Sequence, residues 1–189
     1  MRKYARKRWP IVIVDTANSW LWDEKRRAYD EWATSGPGTV DKPRLVKKYN
    51  PRLLVQGYVP ATADPMKDPG LLQLCRDVMK NGKCLIYFDE TFGIMTATFC
   101  PEPIAALWVR GRKKFVAAWA GSQRPSRVPE VIMSQSENWA VFRLLNPKDL
   151  EKVADWLNSP EVRDKVLPLH YWWYWNEADD AAQLMRPIA

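Results

Sequence analysis

The order of apolar runs and helical patterns predicts an α/β protein: a mostly parallel sheet with helices on both faces. Three observations carry this. The candidate strands are continuous apolar runs rather than alternating ones, as in strands buried on both faces. They alternate with helical patterns, as crossover units require. Several end in polar groups, Asp15, Asp89, Glu90 and Gln123. Ligands of open parallel sheets bind at those carboxyl ends.

Ile11–Val14 is β-branched and apolar and predicts a buried strand ending at Asp15. Trp20–Trp32 suits a helix, and Thr34–Pro43, with Gly36, Pro37, Gly38 and Pro43, a loop. Leu53–Val59 predicts a strand closed by Pro60. Asp68–Gly82 carries the clearest helix pattern: Asp68 at the N-cap, Pro69 at the first helical position, and Asn81-Gly82 as the stop. Leu71, Leu74, Cys75, Val78 and Met79 share one face of it. The strand Cys84–Phe88 follows, then a helix over Ile104–Val109 and a strand over Phe115–Ala120. Ala140–Leu145 suits another strand, and Asn146-Pro147 opens a helix in which Asp149 is placed to complete a capping box. Leu150, Val153, Ala154 and Leu157 form its apolar face. Leu167–Trp175 suits a last strand, with Asn176 capping a closing helix.

At 189 residues, 47% apolar and 27% charged, the chain fits one globular domain, taken as a basic arm over 1–10 and a core over 11–189. No apolar stretch is long enough for a membrane span. Ile11–Val14 is too short for the core of a secretory signal. Three scattered cysteines suggest reduced thiols and a cytoplasmic setting, and one histidine gives zinc little support. The net charge of +7 favours an acidic partner such as nucleic acid. Arg2, Lys3, Arg6, Lys7 and Arg8 form a phosphate-contacting arm on that reading; a solvated chain start has the same composition.

The string C-L-I-Y-F-D-E at Cys84–Glu90 carries the chemistry. An apolar strand tipped with two acids suits a magnesium ion at Asp89, held through water, and a water-activating base at Glu90. An ordinary strand followed by a charged turn has the same residues. Gln123 ends the next strand, where a neutral amide can contact a phosphate and an attacking water. Arg110, Arg112, Lys113 and Lys114 cluster just before that strand. An arginine there suits charge stabilisation across a subunit boundary; a basic helix end complementing the helix dipole is the plainer account.

The order of these parts is more specific than any one of them. L-W-V-R-G-R-K-K-F-V-A-A-W-A-G-S-Q-R-P, followed by V-F-R-L-L-N-P-K-D, resembles the HerA/FtsK group of DNA-translocating P-loop ATPases over about Ile11–Val153. The resemblance implies a RecA-like fold with Asp89 and Glu90 at the Walker B positions and Gln123 at the polar sensor. It implies that Arg110 or Arg112 is the arginine finger and that Asp15 closes the second strand beside the nucleotide. Arg143, in F-R-L, matches a position usual in the group and suits a structural role. ATP and Mg2+ are the implied cofactors. The implied partners are double-stranded DNA, neighbouring subunits in a hexamer-like ring, and a viral capsid or membrane-vertex protein. Small members of the group package viral genomes, which implies the host cytoplasm or the virion.

One part of the pattern is missing. No G-x-x-x-x-G-K-[ST] occurs, and G-P-G-T-V-D-K-P at Gly36–Pro43 has Asp41 and Pro43 where Gly and Ser or Thr are needed. A truncated ATPase, one half of a split ATPase and a degenerate homologue each account for this. The intact Asp89, Glu90 and Gln123 favour the first. The expected function is an ATP-driven genome-packaging motor subunit; the alternative is a non-hydrolysing nucleic-acid-binding or ring-assembly homologue. A filamentous-phage export ATPase shares the core but normally carries a membrane segment. Eleven tryptophans, densest in H-Y-W-W-Y-W at His170–Trp175, suit a packed last strand first and base stacking or a subunit interface second. His170 suits a structural role.

Overall fold

The computed structural model describes residues 9–16, 44–61 and 64–187. The expected helix at 20–32, the loop at 34–43 and the basic arm Arg2, Lys3, Arg6, Lys7 and Arg8 lie outside these residues.

Five short strands form one parallel sheet: β1 (Ile11–Val14), β2 (Arg44–Leu45), β3 (Val55–Tyr58), β4 (Cys84–Phe88) and β5 (Val116–Ala120). Their spatial order is β2-β3-β1-β4-β5, every neighbour pair parallel. The continuous apolar runs have the expected cause. Every residue of β1 is buried, and Cys84, Leu85, Ile86 and Phe88 of β4 show no exposed surface. Val12, Val14, Ile86 and Phe88 point to one face, and Ile11, Ile13 and Leu85 to the other.

The first face is covered by α1 (Pro69–Asn81) and α2 (Glu102–Arg110), with the short α3 (Glu130–Ser134) beside them. Asp68 caps α1 as expected, accepting the Leu71 N–H at 2.6 Å. It also accepts the Tyr58 hydroxyl at 2.6 Å, tying the helix start to β3. Leu71, Leu74, Cys75 and Val78 are its buried stripe. Gly82 ends it at φ 66°, where a side chain would meet the Lys114 carbonyl at 2.5 Å.

The chain then builds a second, smaller layer. α4 (Pro147–Trp156) and α5 (Glu161–Asp164) pack with β6 (Asn138–Val141), β7 (Trp172–Asn176) and β8 (Gln183–Met185). This sheet is antiparallel and separate, with order β6-β7-β8. The last two predicted strands do not join the parallel sheet, and Asn176 opens a turn instead of capping a helix. Its side-chain oxygen accepts the Ala178 N–H and its amide donates to the Glu137 carbonyl. The side chains of β7 alternate between two sides. Trp173 is buried against Val153, Leu157 and Leu167, while Trp172 and Tyr174 face outward with the exposed Phe142. His170 is exposed at φ 64° in the turn before β7.

All three cysteines are free thiols. Burial raises each of them, Cys84 to about 12 and Cys100 to about 11. At pH 8 only about one Cys100 side chain in a thousand is a thiolate. A thiol-alkylating reagent should therefore label the native protein slowly, at Cys100 first. Cys75 and Cys84 should react only after denaturation. Fast stoichiometric labelling of all three in the native state would contradict this packing.

Candidate functional site

β1, β4 and β5 lie side by side and end at the same edge of the sheet. Asp15-Thr16 follows β1, Asp89-Glu90 follows β4, and Gly121-Ser122-Gln123 follows β5. The ladders continue past the strand ends. The Asp89 N–H donates to the Val14 carbonyl at 3.0 Å, and the Gly121 N–H to the Phe88 carbonyl at 2.8 Å. The Thr91 N–H returns to the Gly121 carbonyl at 3.0 Å. The acid pair is thus pinned from both sides by main chain.

Glu90 is held by its own carboxylate. One oxygen accepts the Phe92 N–H at 3.0 Å and the other the Gln123 N–H at 3.1 Å. Its main-chain carbonyl accepts the Thr16 hydroxyl at 2.6 Å. Glu90 therefore bridges all three strand ends. Asp89 accepts the Tyr87 hydroxyl at 3.0 Å. Burial first, then the negative charge of Asp89, pushes that phenol well above its ordinary range. Asp15 is fully buried, its N–H bonded to the Tyr58 carbonyl of β3.

The structure brings together Asp15, Asp89, Glu90 and Gln123, as the strand ends predict. Gln123 meets Glu90 through its main-chain N–H, while its side chain is exposed. Arg110 and Arg112 are not part of this assembly. They lie at the end of α2 and in the turn leading into β5, at the opposite end of the strands. Five residues of strand separate the two ends by about 16 Å. Arg110 pairs with Glu102 at 2.5 Å and Arg112 with Glu137, all four side chains well exposed. Arg143 is exposed beyond β6.

Three features went unpredicted. Thr16 and Tyr87 were legible in principle, one following Asp15 and the other two residues before Asp89 on the same strand side. The third is a clamp on the loop after Gln123. Asp149, on α4, is 1% exposed. Its carboxylate accepts the Arg124 Nε at 2.9 Å and the Ser126 N–H at 2.8 Å. Burial would raise its carboxyl, but the Ser126 hydrogen bonds and the Arg124 guanidinium outweigh that and hold it below the usual carboxylate range. Lys152, one turn on, donates to the Val128 and Ser126 carbonyls at 2.7 and 3.3 Å. Burial lowers its ammonium, against the pull of Asp149 and Glu130. Asp149 thus does not close the expected capping box. The Asn146 side chain caps α4 alone, accepting the Lys148 and Asp149 N–H groups.

Among the described residues no group of three His, Cys, Asp or Glu side chains can hold a metal. A magnesium ion takes only one or two carboxylates and relies on phosphate oxygens and water for the rest. Asp89 fits that modest part. The usual cradle for a triphosphate, a Gly-x-x-x-x-Gly-Lys-Ser/Thr loop, does not occur in these 189 residues.

By sequence, neither the protein-family models nor the curated proteins give a match. By structure, the chain has the α/β fold of the genome-packaging NTPase B204 of Sulfolobus turreted icosahedral virus 2. Against its sulfate complex the TM-score is 0.68 at 11% identity, covering 100% of this chain and 86% of that one. Against its AMPPCP complex the TM-score is 0.66 at 13% identity, covering 99% and 87%. Against B204 of Sulfolobus turreted icosahedral virus, described as a DNA-packaging ATPase, it is 0.65 at 14% identity, covering 100% and 87%. No helix among the described residues is long and apolar enough to cross a membrane.

Proposed function

We propose that this chain is the acid-bearing body of a genome-packaging ATPase, whose phosphate-binding loop comes from polypeptide outside these 189 residues. The observation that carries this is the bridging of three strand ends by Glu90, whose two oxygens accept main-chain N–H groups from its own turn and from Gln123. Such a carboxylate is oriented before any substrate arrives, and orientation is what a general base must have. B204, with the same fold, is described in complex with AMPPCP and ATP-γ-S.

The sheet supports the same reading at β5. Among the described residues β5 is an edge strand of the parallel sheet. Gly121 turns its N–H and carbonyl towards β4. Alternation then aims those of Ala118 and Ala120 the other way. An incoming parallel strand would find that edge open, next to Glu90 and Gln123. A strand leading into a glycine-rich loop would put its phosphates beside the acids.

The remaining assignments follow from this reading. Asp89 takes the magnesium ion through water. Arg110 or Arg112 lies too far from its own acids to serve them, and so serves a neighbouring subunit in a ring. The arm Arg2 to Arg8 contacts double-stranded DNA. The setting is the host cytoplasm or the virion, with a capsid or membrane-vertex protein as the fixed partner. The non-hydrolysing alternative is favoured by one fact, the absent loop.

Calorimetry separates the two. The 189-residue chain alone should bind Mg-ATP no tighter than about millimolar, near −4 kcal/mol. Adding a polypeptide with a strand, a Gly-x-x-x-x-Gly-Lys-Ser/Thr loop and its helix should restore binding and hydrolysis. Glu90→Gln should then keep binding and lose about a hundredfold or more in rate. Micromolar ATP binding by the chain alone would show a phosphate site elsewhere. No gain from the added segment would leave the non-hydrolysing reading.

A further inference from the structure

A groove of about 580 Å³ runs between α1 and α2 and reaches the turn that leads into β5. Its rim carries five cations: Arg76 and Lys80 from α1, Arg110 from α2, and Lys113 and Lys114 from the following turn. Glu102 is the one acid lining it, and it pairs with Arg110. Arg76, Lys80, Lys113 and Lys114 form no ion pair among the described residues. With four exposed cations free of ion pairs against one acid, the rim is complementary to an acidic partner.

The floor points to what kind of partner. It is built of Met79, Pro103 and Ala106, and is largely apolar. Met79 is half-buried, and Pro103 and Ala106 are buried. A phosphate backbone gains nothing from an apolar floor, because its contacts are charged and wet. A small ligand would be mostly enclosed in its site, whereas all five rim cations and Glu102 are exposed.

We propose that the groove between α1 and α2 is a docking site for a segment of a partner protein, with apolar side chains seated on Met79 and Ala106 and flanking acids paired with the Arg76, Lys80, Lys113 and Lys114 rim. A methionine in the floor suits such a role, since its unbranched thioether adapts to the side chain laid on it. No residue of the acid edge lines the groove, so its occupancy is tested separately from nucleotide handling.

The test uses the full chain and three fluorescein-labelled probes: a peptide of repeating Glu-Glu-Leu-Leu, a Glu-only peptide of the same length, and a short DNA duplex. Anisotropy should show the mixed peptide binding, and the Glu-only peptide about tenfold more weakly. Arg76→Glu with Lys80→Glu should weaken the mixed peptide about tenfold, with an unchanged urea midpoint because both side chains are exposed. Met79→Gln should weaken the mixed peptide and leave the Glu-only peptide unchanged. Equal binding of the two peptides, or duplex DNA competing for the same variants, would overturn the proposal in favour of a polyanion site. An oligomer in sedimentation velocity that the double charge reversal dissolves would overturn it in favour of an interface between copies. No binding of the mixed peptide, or binding indifferent to the charge reversal, would also overturn it.

Discussion

Replacing Asp149 with alanine is expected to destabilise the fold by about 3 kcal/mol, the sum of two charge-assisted hydrogen bonds lost from a buried acceptor. The acceptor is 1% exposed and takes the Arg124 guanidinium and the Ser126 N–H. The Arg124 side chain is 44% exposed. It can rehydrate once released, so its share is discounted and most of the loss falls on the Ser126 side. In a chain of this size the thermal midpoint should fall by about 8 °C. Asp149→Asn should cost about half as much, keeping an acceptor but losing the charge.

The pH dependence has a defined sign. The folded carboxyl is held below its ordinary value. Its stabilisation is therefore present above the unfolded carboxyl pKa, about 3.9, and is lost as the pH falls through the lower folded value. Wild type and Asp149→Asn should converge in stability below about pH 4, as measured by urea unfolding across a pH series. A constant gap down to pH 2 would mean that the carboxylate's charge does not matter. The local readout is equally direct. Arg124 and Ser126 flank Pro125 just after Gln123, so the clamp fixes the loop that presents the Gln123 N–H to Glu90. Hydrogen exchange at Gln123 should speed up in Asp149→Ala; an unchanged rate would show that the loop stands without its clamp.

Asp149 also separates what the sequence makes legible from what only the fold decides. The parallel sheet was legible because strands buried on both faces cannot afford polar residues, so β1 and β4 stand out as unbroken apolar runs. α1 was legible to within a residue because its signals are local: the Asp68-Pro69 start, one apolar stripe and Gly82. The strand-end acids followed from the strands. Asp149 and Asn176 resisted for a shared reason. Short polar side chains use the same local chemistry in caps, turns and long-range clamps. Three residues after Asn146, Asp149 looks like the closing half of a capping box. Only the arrival of the loop after β5 over α4 assigns its oxygens to Arg124 and Ser126. Asn176 looks like a helix cap, and only the pairing of β8 with β7 makes it a turn. The second sheet was hidden similarly. Consecutive aromatics in β7 obscure its alternation, since Trp172, Trp173 and Tyr174 are all large on both faces.

The second large effect is expected at Gly121→Ala, about 2–3 kcal/mol of destabilisation from overpacking between two strand ends. A methyl group there would lie 2.6 Å from the Asp89 carbonyl oxygen and 3.0 Å from the Tyr87 hydroxyl. The two contacts differ in what can yield. The tyrosine ring can shift by a few tenths of an ångström. The Asp89 carbonyl belongs to a backbone whose own N–H is bonded to Val14 of β1 at 3.0 Å, so it is held from behind. Relief must come from parting β4 and β5 at their tips. That lengthens the 2.8 Å bond from Gly121 to Phe88 and the 3.0 Å bond from Thr91 to Gly121. The same movement carries the Gln123 N–H away from Glu90, whose second oxygen it holds at 3.1 Å. Combining Gly121→Ala with Tyr87→Phe distinguishes the two contacts in urea unfolding. Removing the hydroxyl should recover only a small part of the loss, because the backbone contact remains. Full recovery would place the strain on the tyrosine and leave the strand tips free to hold Glu90 without a glycine beside them.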